Sequence, residues 1–208
     1  MGQESDFNYG YWRMDKNAEP GFSREFISKD TESILEHTNL EDLEAQTYPG
    51  VTTLFHAFKR NVERIPNVDM LGTRVGDEFK WKTWAEVDDI TTNISYGIEA
   101  LNLAPEIKAE GTKYKFIGIQ SKNREEWTTL HIANMHMSIT TIAFYDTLGP
   151  EASKFMMNQT EMTTIAVSKD YVPKLAKMKK EDKDGKMKLM KNIIVFEEDT
   201  PEEHIKDA

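Results

Sequence analysis

There is no cysteine among the 208 residues, which excludes disulfides, thiolate metal sites and cysteine nucleophiles together. No apolar run approaches the roughly 20 residues that a membrane-spanning helix needs. The opening MGQESDFNYGYW has neither a basic start nor an apolar core, so no secretory signal is expected, and an intracellular chain is. Gly2 does not make a myristoylation site, because Asp6 stands where that motif wants a hydroxyl. Asn93-Ile94-Ser95 and Asn158-Gln159-Thr160 fit the glycosylation sequon but carry no weight without a secretory route. Positive charge is also scarce. The 26 Lys and Arg face 36 Asp and Glu, a net charge of −10 with a pI near 5.1. With no basic stripe, nucleic acid and anionic lipid headgroups are poor partners.

What is present is a chain long enough to bury roughly 70% of its unfolded surface. Residues 1–50 are polar with scattered aromatics (Phe7, Tyr9, Tyr11, Trp12, Phe22, Phe26) and no sustained period, which reads as an extended N-terminal arm or a loose tail. From Thr52 a helix is expected with Leu54, Phe55, Phe58, Val62 and Ile65 on one face, ended by Pro66. Met70–Val75, a Gly76-Asp77 turn and Phe79–Lys82 read as a β-hairpin. Thr83 and Glu86 form a capping box for a helix whose stripe is Val87, Ile90, Ile94, Ile98 and Leu101. Pro105 to Lys115 reads as a polar connection.

The centre of the chain is Phe116 to Pro150. Phe116–Ser121 and Ile139–Phe144 are short apolar runs of β-forming residues. Between them Trp127, Leu130, Ala133 and Met137 recur at helical spacing, behind an expected Asn123 cap with Glu126 three residues on. Strand, helix, strand at that length predicts a right-handed crossover in a parallel sheet. A helix from Pro150 follows, with Glu151 in its first turn and Ala152, Phe155, Met156 and Gln159 on its buried face. Thr163–Val167 is a third strand, then a short helix with Val172, Leu175 and Met178 inward, a charged surface loop KKEDKDGKMK, and a fourth strand Asn192–Phe196. The fold class is α/β with a mainly parallel sheet. There is no internal repeat.

This stretch also carries a resemblance. SKNREEW followed after one helix by FYDTLG, then PEASKFMMNQTEMTTIAVS, resembles the N-terminal part of long-chain acyl-CoA synthetases, members of the adenylate-forming superfamily. Upstream, TLFHAFKRNVERIPNVDMLGTRV and WKTWAEV match that family's opening helix and first core motif. The similarity runs from about Val51 to Phe196. It implies an N-terminal portion of the adenylate-forming fold, with residues 51–208 an incomplete domain. For a whole enzyme it implies ATP, Mg2+ and CoA, and conversion of fatty acid to acyl-CoA through an acyl-adenylate. The family's Ser/Thr/Gly-rich phosphate loop ending in Pro-Lys-Gly, its Thr-Glu pair, its ribose-binding Asp and its late catalytic Lys do not occur in this chain. Phosphoryl chemistry is mostly positioned charge, so no catalytic residue is nominated and no cofactor is expected for this chain alone.

Other motifs fail on their own terms. Gly185-Lys186 is not a phosphate loop, because Lys180 and Met187 stand where glycine and a hydroxyl are required. Asp182, Asp184 and Gly185 are no calcium loop, since Lys180 and Lys191 fall at the first and last ligand positions. His131 and His136 are five apart and point to different helix faces, unsuited to one metal. Glu125-Glu126 and Asp88-Asp89 read as helix-start and solvated charges, and no metal site is assigned. Met135, Met137, Met156 and Met157 read as core filling ahead of an acyl-chain pocket. One rule does point to a place. Ligands of parallel α/β sheets gather at the carboxyl ends of strands. Here those ends hold Lys122, Asn123 and Arg124, then Asp146 and Thr147, then Lys169-Asp170. Arg124 and Lys122 beside a helix N-terminus suit an anion, and they equally suit a helix cap and surface charge.

Two functional classes follow. The chain is the N-terminal segment of a long-chain acyl-CoA synthetase, or it is a stand-alone, non-catalytic homologue serving as a structural or adaptor subunit. A free-standing nucleotide-binding module is a third, weaker reading. In either main reading the sheet needs cover from another protein chain or from the rest of its own.

Overall fold

The computed structural model describes residues 10–12, 17–24, 26–28, 50–145 and 147–199. Tyr9, Asp146 and the residues after 199 therefore lie outside the described set. The chain divides into two compact units, Met1–Thr52 and Thr53–Ala208. In the first, β1 (Gly10–Trp12) pairs antiparallel with β2 (Phe26–Ser28). No element is described for the rest of the expected arm.

The second unit opens with α1 (Leu54–Arg64), where the Thr53 side chain accepts a hydrogen bond from the His56 N–H. Phe58 is its buried residue. Leu54 and Ile65, expected on the same face, are 72% and 39% exposed because they sit at the helix ends, beyond the packed turns. The hairpin forms as expected from β3 (Asp69–Val75) and β4 (Glu78–Thr83). Gly76 takes the left-handed φ of 66° that its tight turn requires. Gly72 lies opposite Trp81, and a Cβ there would stand 2.8 Å from the indole ring. Then α2 (Trp84–Ala100) starts at the predicted Thr83–Glu86 capping box. Its buried face is Val87, Thr91, Ser95 and Ile98, whereas Leu101 projects past the helix end and is exposed. The segment read as a polar connection instead contains a second hairpin, β5 (Ile107–Ala109) with β6 (Thr112–Tyr114). Glu110 and Gly111 turn it with positive φ at both positions, a turn type that matches strand twist.

The core is a four-stranded, all-parallel sheet of β7 (Phe116–Gln120), β8 (Thr140–Ala143), β9 (Thr164–Val167) and β10 (Asn192–Val195). Its spatial order is β10-β9-β7-β8. Strand alternation sends Ile117, Ile119 and Ala166 to one face, against Ile98 of α2 and Leu130 of α3 (Glu125–His136). It sends Ile165 and Val167 to the other, against Met157 of α4 (Pro150–Thr160) and Leu175 of α5 (Val172–Lys180). A one-turn 3-10 helix, Lys169–Tyr171, leads into α5. Side chains such as Ile117, Ile119, Ile165 and Val167 are fully buried, each worth about 1.5–3 kcal/mol of transfer free energy. A third cluster, Phe58, Val87 and Ile132, joins α1, α2 and α3 under the first hairpin.

Two expectations about these helices are corrected. The N-cap of α3 is Arg124, not Asn123, and no side chain caps it, because the Glu126 carboxylate is taken by the Arg124 guanidinium. The buried face of α4 is Ser153 and Met157. Phe155 is 59% exposed and Ala152 and Gln159 are exposed as well, so the helix is rotated from the phase its largest apolar residue suggests. The charged loop after α5 is anchored. Asp182 accepts from the Lys186 and Met187 N–H groups at 3.2 and 2.8 Å, and Met187 and Met190 are buried.

Candidate functional site

The chain leaves β7 through α3, on one face of the sheet, and leaves β9 through α5, on the other. The two strands are neighbours, so their connections diverge and open a crevice at their carboxyl ends, the switch point at which doubly wound sheets hold ligands. A cleft of about 830 Å3 lies there. Gln120, Lys122 and Asn123 contribute from the end of β7, and Ser168, Asp170 and Tyr171 from the end of β9. Leu175, Met178, Leu148 and Pro150 add apolar wall, and Ser153 and Lys154 enter from α4. Lys174 and Lys177 come from α5.

Arg124 closes one side as a latch. It forms a two-pronged ion pair with Glu126 (2.7 and 2.8 Å), donates to Glu197, and reaches the Ser168 hydroxyl at 3.3 Å. Its guanidinium lies 5.3 Å from the centre of the Phe196 ring. The second oxygen of Glu197 accepts the Lys169 N–H at 2.7 Å, and the Lys169 ammonium meets Asp199 at 2.7 Å. The segments after β7, β9 and β10 are thereby tied together. The Glu126 bond holds the guanidinium above its ordinary value despite burial, and the same bond holds the Glu126 carboxyl below its own. A second tie joins the hairpin to the start of α3. Lys82 reaches both oxygens of Glu125, at 2.9 and 2.8 Å, and Thr73 donates to the same carboxylate, whose pKa is lowered chiefly by Lys82.

The histidines are structural in their contacts. His131 faces the Thr141 hydroxyl at 3.0 Å, and His136 faces the Thr91 hydroxyl at 3.2 Å beside the Phe55 ring. Burial lowers the pKa of both. Near His136, Lys59 pairs with Asp88 at 2.5 Å. Among the described residues no group of three His, Asp or Glu side chains could hold a metal ion.

Of the residues named from sequence, Lys122, Asn123, Arg124 and Asp170 share the cleft, and Lys169 does not line it. Thr147 is exposed and does not line it, and Asp146 lies outside the described residues. Reasoning from sequence missed Ser153, Lys154, Lys174 and Glu197. Glu197 was reachable, since it follows the fourth strand and the strand-end rule applies to it as to the others. Nothing local marked Ser153 or the lysines, which depend on how α4 and α5 are rotated.

A doubly wound parallel sheet with its cleft at the switch point defines the class, and comparison with known proteins narrows it. Residues 56–208 match the family model for the AMP-binding enzyme, and the chain belongs to that family. It is similar to human long-chain-fatty-acid–CoA ligase 1, 30% identical over 151 residues, covering 71% of this chain and 20% of that protein. It is also similar to the peroxisomal acyl-CoA ligase 891 of Penicillium brevicompactum, at 27% identity over 63% of this chain and 19% of that one. The chain thus spans about one fifth of the length of the curated relatives it matches. Two solved structures share the fold. The adenylation domain of a carboxylate reductase from Mycobacterium chelonae matches with a TM-score of 0.60 and 15% identity, over 77% of this chain and 25% of that one. A fatty acyl CoA synthetase of Mycobacterium tuberculosis matches with a TM-score of 0.54 and 13% identity, over 74% and 28%. The fold is the N-terminal part of the adenylate-forming enzyme fold.

Proposed function

We propose that this chain is the N-terminal segment of an ATP-dependent long-chain fatty acid–CoA ligase. The whole polypeptide would join a fatty acid to CoA through an acyl-adenylate, using ATP, Mg2+ and CoA. Residues 1–208 alone would not catalyse that reaction. The observation that carries the reading is the 30% identity to the human ligase, which extends over most of this chain yet covers only 20% of that protein. The sequence supports the second half of the proposal, because it holds neither the phosphate loop nor the late lysine that such chemistry relies on.

The test is direct. Residues 1–208 are incubated with ATP, Mg2+ and palmitate, and pyrophosphate release is followed. The expected result is no turnover above the blank, and sustained turnover would refute the non-catalytic half of the proposal. A stand-alone structural or adaptor subunit is the competing outcome, separated from the ligase segment by the size of the native polypeptide.

A further inference from the structure

The hairpin of β3 and β4 stands as a two-stranded sheet, and among the described residues nothing pairs with its outer edges. Its inner strand, β3, packs against α2 and α3, with Met70 and Leu71 against the Phe58–Val87–Ile132 cluster. The register of β3 also breaks between Asp69 and Leu71, an irregularity of the kind that spoils an edge for pairing. Strand β4 is regular. Glu78, Phe79, Lys80 and Trp81 follow one another in the ladder without a break, and all four are exposed, the aromatics by 57% and 53%.

Hairpin geometry fixes which backbone groups face that edge. Across the two-residue turn Gly76-Asp77 the flanking pair, Val75 and Glu78, exchanges hydrogen bonds, and bonded pairs then alternate along the ladder. Phe79 opposite Arg74 and Trp81 opposite Gly72 are therefore non-bonded pairs, in agreement with the close approach of the indole to Gly72. The N–H and C=O groups of Phe79 and Trp81 thus point away from β3, to the open edge. Their rings lie on one face of the hairpin, 5.9 Å apart and inclined by 31°. Glu78 and Lys80 lie on the other face, and among the described residues neither meets an opposite charge.

We propose that β4 is a self-association edge, which pairs antiparallel with β4 of a second copy about a two-fold axis at Phe79. In that register Phe79 of each copy exchanges both backbone bonds with Phe79 of the other. Glu78 of each copy lies opposite Lys80 of the other, in the closely spaced, non-bonded positions where opposite charges attract most. Charge selects this register over its neighbours. An axis at Lys80 would set the two Lys80 side chains against each other and draw on Lys82, which Glu125 already holds. An axis at Trp81 would oppose Lys80 to Lys82. With the axis at Phe79 the aromatic rings of both copies form one apolar row on a single face. So short a contact buries too little surface for a permanent dimer, so the association is weak and concentration-dependent. It does not rest on the ligase reading.

Sedimentation equilibrium of the 208-residue chain measures the dimer constant, and exchange of charge tests the pairing. Glu78→Lys alone and Lys80→Glu alone each turn both attractive pairs into repulsive ones, and each should weaken association by about tenfold. The double variant E78K/K80E restores opposite charges and should return it to within about twofold of the parent. The absence of cysteine gives a second readout. Phe79→Cys places a single thiol per chain at the axis, and diamide, which takes one hydrogen from each of two thiols, should join two copies by a disulfide. Trp81→Cys should not cross-link, because the two positions stand about 13 Å apart in this register. Single variants that associate as the parent does overturn the proposal, as does a double variant no tighter than the singles. Cross-linking by Trp81→Cys in preference to Phe79→Cys overturns it too. So does a Phe79→Cys chain that diamide leaves unlinked, the result expected if the edge instead takes a strand of another protein. None of these results bears on the pyrophosphate assay.

Discussion

Arg124→Met removes the guanidinium and keeps most of the aliphatic stem. In the structure it deletes the two-pronged pair with Glu126, the bond to Glu197, the contact with Ser168 and the stacking on Phe196. A hydrogen bond to a charged group contributes about 1.5–3 kcal/mol, but an exposed ion pair only about 0.2–1. The side chains of Arg124 and Glu197 are 25% and 20% exposed and that of Glu126 is 36% exposed, which places the latch between those limits. The expected loss is ~1–3 kcal/mol, or about 2–12 °C in Tm for a chain of this size. Urea denaturation at neutral pH measures it, and a cycle with Glu197→Gln isolates the long-range half of the pair. Acid provides a second readout. Glu126 is held below its ordinary value by Arg124, so its contribution is present above the unfolded value and disappears as pH falls through the lowered one. In Arg124→Met that part of the acid-dependent loss should vanish. A change smaller than ~0.5 kcal/mol with the acid limb intact would show that the latch carries no stability.

Gly118 lies at the centre of β7, and a Cβ there would stand 2.9 Å from Phe144, 3.0 Å from Ile165 and 3.1 Å from Met162. Gly118→Ala should cost ~1–2 kcal/mol net, overpacking outweighing the entropy that alanine saves, and a variant at least as stable as the parent would refute the packing. Trp127 is half-buried against the Ile117–Leu130 cluster, so Trp127→Ala should fall below the ~3–5 kcal/mol of a fully buried site, and a denaturant midpoint shifted by that full amount would contradict the burial. Among the described residues the outer strands β8 and β10 each have one edge unpaired in the sheet, and such edges invite association. Sedimentation of residues 1–208 should therefore show self-association or a bound partner, and a monodisperse, cooperatively melting monomer would refute this.

Local chemistry was legible where it is self-contained. The Thr83–Glu86 box and the Gly76-Asp77 turn bind within a few residues, and the four apolar runs carry their strand signal in their own composition although they pair across helical crossovers; each stands where the sequence placed it. What failed depends on distant neighbours. Phe155 suggested the wrong face of α4, because the sheet accepts Ser153 and Met157 there instead. Asn123 was the better cap by type. Its role lapsed because Arg124 draws Glu126 away and reaches Glu197, 73 residues further on. The second hairpin was hidden because Glu110, a residue that rarely takes positive φ, shares its turn with Gly111. The strand-end rule found one wall of the cleft. The wall from α4 and α5 needed the rotation of two helices, which no spacing reveals.

The reading of this chain as the first part of a longer ligase is tested most directly by the intact mass of the native polypeptide. The account predicts a mass several times the 24.0 kDa of these 208 residues, in keeping with the one-fifth coverage of its relatives. A native polypeptide of 24.0 kDa would contradict it and leave the stand-alone subunit in its place.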